Sequence, residues 1–260
     1  MRFFLTKRFN FSACHRFYNK KWDKKKNEKI FGKNINFHGH NYKVDVEIEG
    51  EIDKDTGMII NIDDLKNIMN NIISEFDHKN LNEIEYFREI QPTVENLSKV
   101  IYEIVKEKLP KNLKLHKITV YESDSLWASF YGNENELSKK INFYSSHKLF
   151  KKNFEKEKNL KIFGKCSNFH GHEYSLILKY KGEVDKQTGF LVKREEIEKD
   201  VENVKKLLDY KNLNKIKFLK ERNPTGENIL IYLKNKLKNK KIKGIKIYET
   251  DENIFEMEEN

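Results

Sequence analysis

The 260-residue chain contains only two cysteines, Cys14 and Cys166. Two cysteines cannot form the disulfide framework of a small secreted protein, so any thiol chemistry falls on one or both of them. No stretch approaches the roughly 20 consecutive apolar residues of a membrane-spanning helix, and the N-terminal MRFFLTKRFNF lacks the apolar core and cleavage site of a signal peptide. We therefore expect a soluble, cytoplasmic protein without a membrane partner.

Arginine is also scarce. The formal net charge is +10, but only six of the 51 basic residues are arginines and the lysines are scattered along the whole chain. Proteins that read nucleic acids usually depend on arginine, whose planar fork matches phosphates and guanine edges. No nucleic-acid-binding motif accompanies the charge, so we predict no nucleic-acid partner. An anionic small substrate, such as a phosphate ester, is compatible with the charge.

The sequence contains a long internal repeat. FGKNINFHGHNY at 31–42 recurs as FGKCSNFHGHEY at 163–174, an offset of 132 residues. The same offset relates GEIDKDTGMII (50–60) to GEVDKQTGFLV (182–192), FDHKNLN (76–82) to LDYKNLN (208–214), and PTVEN (92–96) to PTGEN (224–228). VYESD (120–124) matches IYETD (247–251) at an offset of 127. We therefore predict two tandem domains, 1–132 and 141–260, joined through the polar stretch 132–140.

Each repeat is predicted to be α+β, with the order strand, strand, helix, helix, strand, strand. RFFLTKRFNF and NYKVDVEIEG alternate apolar and polar residues, as half-buried antiparallel strands do. Apolar residues then recur at three- and four-residue steps over 62–76 and 94–105, with Thr93 as a candidate N-cap of the second helix. GEIDKDTGMII is predicted to be a turn in which Gly57 has a positive φ. We expect a four-stranded antiparallel sheet with two helices on one face, and self-association to cover its edges.

Six of the eight histidines form two sets with the same spacing: His15, His38 and His40, and His147, His170 and His172. Histidines two apart on a strand point to the same face, where a histidine of the preceding strand can reach them. Three neutral imidazoles with an open fourth position are the ligand set of a catalytic zinc. We predict zinc at one or both sets; in the second, Cys166 is a possible fourth ligand of a closed structural site.

Three other residues are less informative. His78 follows Asp77 at the predicted end of the first helix, where either the helix dipole or a catalytic role would account for it. His116 lies in no motif and is interpreted as a surface residue. Cys14 is adjacent to His15 on its strand, so its side chain should face away from the metal, as that of a small core residue.

Together, the motifs FSxxH, C-x3-HGH-x-Y, GEID-x3-G, DHKNLN, PT-x-EN and the late YE resemble the 6-pyruvoyl- and 6-carboxy-tetrahydropterin synthase family. The resemblance covers both repeats and implies two tandem tunnelling-fold domains. It also implies that the histidine triads hold zinc, that Cys166 is catalytic, and that Asp77 and His78 act from a neighbouring subunit. Glu122 and Glu249 would anchor the pterin ring, close to the remaining implied substrate-binding residues: Thr93, Glu95, Thr225 and Glu227.

The two repeats depart from the family pattern in complementary ways. Repeat 1 has Asn34 at the cysteine position, and repeat 2 has Tyr210 at the position of the catalytic histidine. We therefore predict one hybrid site, which combines the zinc and Cys166 of repeat 2 with Asp77 and His78 of repeat 1. The alternative is a duplicated, catalytically inactive module that binds zinc and a pterin or purine.

The resemblance implies a zinc-dependent lyase acting on 7,8-dihydroneopterin triphosphate. The C-x3-HGH spacing favours a 6-carboxy product, as in the queuosine (7-deazaguanine) precursor pathway, over a 6-pyruvoyl product. It also implies a homo-oligomer of ring-forming domains. A ring that alternates the two repeats needs an even number of them, which two chains would supply. The alternative is that three chains build two stacked rings, one of each repeat. Both assemblies remain open.

Overall fold

We analysed a computed structural model, which describes residues 2–259. The chain divides into two compact units. Unit 1 comprises the chain up to Ser138 together with Lys181–Arg194, and unit 2 comprises Lys139–Tyr180 with the chain from Glu195 onward. Unit 1 therefore contains repeat 1 and also a short segment of repeat 2.

Repeat 1 forms an antiparallel sheet. Its strands are β1 (Phe3–His15), β2 (His38–Gly50), β3 (Lys79–Asn80), β4 (Lys114–Ser123) and β5 (Leu126–Phe130). Their order across the sheet is β3-β1-β2-β4-β5, and only the short β3 pairs in parallel. Its helices are α1 (Lys24–Phe31), α2 (Ile62–Ile73) and α3 (Val94–Lys108). The predicted strand and helix order is confirmed; α1, which follows the first strand, was not predicted.

Burial in repeat 1 follows the predicted alternation. Val44, Val46 and Ile48 of β2 are fully buried, and the residues between them are partly exposed. Helix α3 packs against β4 and β5, and α2 packs against α3 and β1. Thr93 is the N-cap of α3, as predicted, and its hydroxyl accepts a hydrogen bond from the Asn96 amide at 3.3 Å. The sheet and the helices therefore bury one shared apolar layer.

Repeat 2 forms the corresponding elements. Its strands are β6 (Asn135–His147), β7 (His170–Gly182), β8 (Lys211–Asn212), β9 (Ile242–Tyr248) and β10 (Ile254–Glu258). Its helices are α4 (Lys156–Phe163), α5 (Arg194–Leu208), α6 (Lys217–Arg222) and α7 (Gly226–Lys236). Strand β7 pairs with β9 and β9 with β10, all antiparallel. Strand β6 already begins at Asn135, so most of the polar stretch predicted to join the repeats is regular strand.

The turn that follows the second strand of each repeat has the same internal structure. We call residues 51–62 turn 1 and residues 183–194 turn 2. Asp53 in turn 1 and Asp185 in turn 2 each accept hydrogen bonds from a backbone amide and a threonine hydroxyl three residues later. Gly57 and Gly189 have φ of 70° and 72°, as predicted for Gly57, because this turn needs a left-handed residue. Turn 2 lies in unit 1, although its sequence belongs to repeat 2.

The helices of the described residues are short. The two longest, α3 and α5, contain 15 residues each. Over residues 2–259, none has both the length and the apolar character needed to cross a membrane.

Candidate active site

Each histidine triad lies where the first two strands of a repeat meet. His15 ends β1, His38 begins β2, and these two residues pair directly across the sheet. The ring nitrogens that the three histidines of each triad offer lie within 4.8 Å of one another. His147, His170 and His172 repeat this arrangement with ring-centre separations that differ from those of the first triad by at most 0.3 Å. Each set could therefore hold one metal ion.

Backbone carbonyl groups orient two rings of each triad. The Nδ1 of His15 lies 2.7 Å from the Pro92 carbonyl oxygen, and that of His147 lies 2.9 Å from the Pro224 oxygen. His38 and His170 make the same contact with the carbonyl two residues before them, at 2.9 and 2.8 Å. An Nδ1–H that donates to a carbonyl leaves Nε2 as the lone-pair nitrogen, and metal-binding histidines are commonly held this way.

The burial of the rings favours their neutral form. Burial lowers the pKa of His15 to about 4, against the opposing charge of Glu122. Burial also lowers the pKa of His40, His147 and His172. Only a neutral imidazole has a lone pair to offer a metal, so these rings are ready to bind one near neutral pH.

Several buried polar atoms at the triads have no hydrogen-bond partner among residues 2–259. They are the Nε2 atoms of His40, His147 and His172 and one carboxylate oxygen of Glu122. Buried polar groups are nearly always satisfied, so unpaired ring nitrogens, two at the second triad and one at the first, indicate a ligand at each. The donor set therefore fits a metal ion at both triads.

Each triad faces the late glutamate of its own repeat. Glu122 Oε1 lies 4.0 Å from His40 Nε2, and Glu249 Oε1 lies 3.6 Å from His147 Nε2 and 3.9 Å from His172 Nε2. Tyr174 donates to the same Glu249 oxygen at 3.4 Å. The structure thus pairs Glu122 with the first triad and Glu249 with the second, which the sequence left open.

The position that distinguishes the two triads is a short 3₁₀ turn before the second strand. Asn34 occupies it in repeat 1 and Cys166 in repeat 2. The turn is tied to the chain just beyond the first strand, because the Leu149 amide donates to the Cys166 carbonyl at 2.7 Å and the Phe17 amide to the Asn34 carbonyl at 2.8 Å. Cys166 is exposed, and the second cluster of ligand atoms contains the three histidines without it. A closed site with Cys166 as fourth ligand is therefore not formed among the described residues.

Asp77 and His78 lie beside β1 at the edge of the sheet. They come after the end of α2 at Ile73, so His78 is not the helix-terminal residue that the sequence indicated. Asp77 accepts a hydrogen bond from the Ser12 amide at 2.9 Å. This hydrogen bond is the largest cause that lowers the pKa of the Asp77 carboxyl, and the contact with His78 is the next. Its other oxygen lies 2.9 Å from His78 Nδ1, and the His78 side chain is 82% exposed. The pair is formed but open to solvent.

His78 and its counterpart Tyr210 share an unusual backbone conformation. Their φ angles are 55° and 51°, in the left-handed region that residues other than glycine seldom adopt. The His78 amide donates to the Ser12 carbonyl at 2.6 Å, and the Ser12 amide donates to the Asp77 carboxylate. In repeat 2, Tyr210 makes the same pair of hydrogen bonds with Tyr144 and Asp209. These paired hydrogen bonds hold the strained residue, a feature that is common at functional sites.

A comparison with known proteins identifies the family. The sequence model of a family described as 6-pyruvoyl tetrahydropterin synthase matches residues 4–133 and again residues 136–260. The chain belongs to this family. It contains two family domains in tandem, which confirms the duplication.

Several named relatives of this tetrahydropterin synthase family member match from about a third to about half of the chain. Human 6-pyruvoyl tetrahydrobiopterin synthase is 44% identical over 125 residues, which is 46% of this chain and 86% of the human protein. A putative 6-carboxy-5,6,7,8-tetrahydropterin synthase of Archaeoglobus fulgidus is 41% identical over 92 residues, 35% of this chain and 72% of that protein. The structure of Caenorhabditis elegans 6-pyruvoyl tetrahydropterin synthase, with 30% identity and a TM-score of 0.48, covers 51% of this chain and 97% of that one.

The predicted substrate residues of the first tetrahydropterin synthase domain are engaged by the protein itself. Thr93 donates to the Gly189 carbonyl at 2.7 Å, and the fully buried Glu95 accepts from the Leu191 amide at 3.2 Å. Arg194 completes the arrangement with two hydrogen bonds to the Glu95 carboxylate, at 3.3 and 3.0 Å. Turn 2 thus uses the side chains of Thr93 and Glu95 within the protein, and their predicted substrate role remains a prediction.

The corresponding residues of the second domain are open. Thr225 is the N-cap of α7 and is partly exposed, and Glu227 is exposed. They follow Pro224, whose carbonyl contacts His147, so both lie one turn from the second triad. Their predicted substrate role remains a prediction.

Sequence reasoning missed or misjudged some residues of these domains. Nothing in the motifs pointed to the carbonyl groups of Pro92 and Pro224 as ring-orienting groups, because a backbone contact leaves no side-chain signature. Cys14 faces away from the triad, but it is partly exposed and lines a surface cavity with His78, so it is not a core residue. One difference in the sequence could have indicated that turn 2 packs on repeat 1: Arg194 in turn 2 stands at the position of Ile62 in turn 1.

Proposed function

We propose that the protein is a zinc-dependent lyase that acts on 7,8-dihydroneopterin triphosphate. Its working site would combine the triad, Cys166 and Glu249 of repeat 2 with Asp77 and His78 from repeat 1 of a neighbouring chain. The observation that carries this proposal is the second triad, where three converging imidazoles face Glu249 and the turn that contains Cys166 is hydrogen-bonded to Leu149, two residues beyond His147. Repeat 1 has the same triad without the thiol.

The nature of the donors supports zinc as the metal. Three neutral histidine nitrogens with a free fourth position are typical of catalytic zinc, whereas magnesium and calcium prefer oxygen ligands. His147, His170 and His172 would hold the ion in repeat 2, and His15, His38 and His40 would hold one in repeat 1. Bound zinc would make the side-chain hydroxyl groups of the substrate more acidic.

Cys166 would serve as the base that removes a proton from the substrate side chain. Its thiol is exposed on the turn tied to Leu149, two residues beyond His147, so a substrate at the triad can reach it. A nearby cation stabilises the thiolate form, which is the reactive form of cysteine. Asn34 has no proton to exchange at neutral pH, so the same reaction is not expected at the first triad.

Asp77 and His78 would return the proton. The contact between Asp77 and His78 Nδ1 fixes the ring orientation, while the exposed ring remains free to approach a substrate bound on another chain. Tyr210 has a far less acidic side chain than an imidazolium and does not replace it in repeat 2.

Glu249 would anchor the pterin ring. A carboxylate can accept two parallel hydrogen bonds from the amino group and ring N–H of a pterin. Its contacts with His147 and His172 support a position for such a ring beside the triad. Thr225 and Glu227, which are more exposed than Thr93 and Glu95, would add contacts at the rim.

Two products are possible within this proposal. The C-x3-HGH spacing of repeat 2 supports a 6-carboxy-tetrahydropterin, formed with release of acetaldehyde and triphosphate. A 6-pyruvoyl product is the second candidate, because the human relative and other curated relatives bear that name.

The test is to incubate the zinc-loaded protein with 7,8-dihydroneopterin triphosphate and to identify the pterin product by mass, with acetaldehyde and bound metal measured alongside. We expect a 6-carboxy pterin with one acetaldehyde per turnover. Loss of triphosphate without acetaldehyde would assign the 6-pyruvoyl reaction. Bound zinc without any turnover would contradict the proposal and leave an inactive pterin-binding module.

A further inference from the structure

A cavity in unit 2 is lined mainly by lysines. It has a volume of about 640 Å³ and lies between the segment that follows β6 and the segment that contains α6. Phe150 and Asn223 also line it, and among residues 2–259 its one acidic lining residue is Glu221. We call it the lysine cavity; its basic residues are Lys151, Lys152, Lys215, Lys217 and Lys220.

Hydrogen bonds join the two segments that form the lysine cavity. The Lys148 amide donates to Asn214 Oδ1 at 2.8 Å, and Asn214 Nδ2 donates back to the Lys148 carbonyl at 2.8 Å. The Phe150 amide donates to Asn223 Oδ1 at 3.1 Å. The lysines of both segments therefore line a space whose walls are held by the backbone.

The positive charge of the lysine cavity is not neutralised within the chain. Its five lysines are exposed, and none of them forms an ion pair with another of residues 2–259. Glu221 instead lies 3.9 Å from Arg222. Like charges around one cavity repel one another and raise the local potential, so an anion that binds among them is attracted by all five.

A buried amide group adds a neutral donor to the cavity. Asn223 is only 8% exposed, and its Nδ2 makes no hydrogen bond to any of residues 2–259. In repeat 1, Gln91 stands at this position and uses both ends of its amide on the Tyr18 backbone, at 3.0 and 3.1 Å. Buried polar groups are nearly always satisfied, so the shorter side chain of Asn223 leaves an N–H group for a ligand.

The corresponding surface of repeat 1 lacks the positive charge. At the offset of 132 residues, Glu83 and Glu85 stand in place of Lys215 and Lys217. Arg88, at the position of the last cavity lysine, is paired with Glu85 at 2.7 Å. A lysine-rich composition would affect both repeats alike, so it does not account for this reversal of charge. The lysine cavity is therefore a feature of repeat 2.

We propose that the lysine cavity binds a triphosphate group. A triphosphate has several negative charges and many acceptor oxygens, which suit a set of ammonium groups with one amide N–H donor. Two sources would supply the group: the tail of the substrate under the proposed function, or a free triphosphate. Only the first source rests on the proposed function; the binding site itself does not.

The position of the lysine cavity in the chain favours the substrate tail. Asn223 is followed by Pro224, whose carbonyl oxygen lies 2.9 Å from His147 Nδ1. Phe150 is three residues beyond His147, a span of at most about 10 Å. Both lining residues thus lie close to the second triad, where the pterin end of the substrate would bind.

Isothermal titration calorimetry of the zinc-loaded protein with inorganic triphosphate tests the site independently of turnover. We expect one triphosphate per chain. Lys215→Glu combined with Lys217→Glu, which introduces the residues of repeat 1, should raise the dissociation constant about a hundredfold through loss of two charged contacts. The matched control combines Lys205→Glu with Lys206→Glu, at exposed positions of α5 outside the cavity. It should change the dissociation constant about twofold or less, because salt screens distant charges.

A nearly isosteric change at the buried amide provides a second readout. Asn223→Asp keeps an acceptor for the Phe150 amide and tolerates the positive φ of 73°. It replaces the N–H donor by a carboxylate oxygen, so the dissociation constant for inorganic triphosphate should rise about tenfold. Circular dichroism checks that the variant is folded.

Steady-state kinetics identify the source of the triphosphate. If the substrate tail binds in the cavity, the Lys215→Glu and Lys217→Glu variant should raise KM for 7,8-dihydroneopterin triphosphate far more than it lowers kcat. An unchanged KM together with weakened triphosphate binding would assign the cavity to a free triphosphate.

Three results would overturn the proposal. They are a wild-type protein that does not bind inorganic triphosphate, binding that the cavity variants leave unchanged, and an equal loss of binding in the α5 control. Unchanged binding would place the triphosphate at the metal or elsewhere, and an equal loss would indicate general attraction by a basic protein. Specific triphosphate binding without any turnover would contradict only the proposed function.

Discussion

The two repeats agree where a metal would bind and differ at the residues around it. Their histidine triads have matching ring separations and the same proline carbonyl contacts. Their 3₁₀ turns and left-handed residues also match in backbone, yet Cys166 is replaced by Asn34 in repeat 1 and His78 by Tyr210 in repeat 2. The duplication thus preserved the geometry of both sites while each repeat kept only part of the chemistry. Such complementary losses are consistent with one site that draws on both repeats.

The largest expected effect distinguishes the two triads. Cys166→Ala should reduce turnover of 7,8-dihydroneopterin triphosphate about a thousandfold, because it removes the proposed base. Asn34→Ala, its counterpart, and Cys14→Ala, which changes the other thiol, should each leave turnover within twofold, about the scatter expected without a catalytic role. Steady-state kinetics measure all three, and a Cys166→Ala enzyme with normal turnover would exclude this thiol from the reaction.

The second effect distinguishes the two left-handed residues. His78→Asn should lower turnover about a hundredfold through loss of the proton donor, while asparagine tolerates the positive φ and keeps the local backbone. Tyr210→Asn is the matched change in repeat 2 and should have little effect on turnover. The pH profile of the remaining activity provides a further measurement, since only His78→Asn should alter it. If both variants behave alike, the hybrid site is wrong.

The third effect compares the buried and exposed glutamates. Glu95→Gln removes the charged partner of Arg194, whose side chain is only 18% exposed, and should lower the free energy of unfolding of unit 1 by about 2–3 kcal/mol. Glu227→Gln at the exposed position should change it by less than about 0.5 kcal/mol. Urea denaturation, measured at concentrations too low for chain association, compares the two. Equal losses of stability would argue against the role assigned to turn 2.

The smallest effect compares the two turn glycines. A Cβ at Gly189 would lie 2.9 Å from the side chains of Asn96 and Gln91, whereas a Cβ at Gly57 meets nothing within 4 Å. Both substitutions strain a left-handed residue, so Gly57→Ala should cost about 1 kcal/mol and Gly189→Ala about 2–3 kcal/mol. Thermal unfolding should show a larger decrease in Tm for Gly189→Ala, and the reverse order would contradict the packing described for turn 2.

Much of the fold could be predicted because the repeat supplied two versions of one pattern. Alternating strands, two amphipathic helices and the N-cap at Thr93 are local features, and the structure contains all of them. The triads could also be predicted, because residues two apart on a strand share a face whatever surrounds the sheet. Helix α1 was missed, since its lysine-rich sequence shows little apolar periodicity.

The sequence by itself determined the duplication, the strand and helix order, the matched spacing of the two histidine triads and the replacement of Cys166 by Asn34 and of His78 by Tyr210 between the repeats. Only the tertiary structure decided that turn 2 packs on the first repeat, that Thr93 and Glu95 hold it, and that each late glutamate faces its own triad. These contacts join residues about 75 to 100 positions apart, and several involve backbone carbonyl and amide groups that are alike at nearly every residue. Local patterns cannot specify which distant groups meet, because that depends on how the packed elements place them.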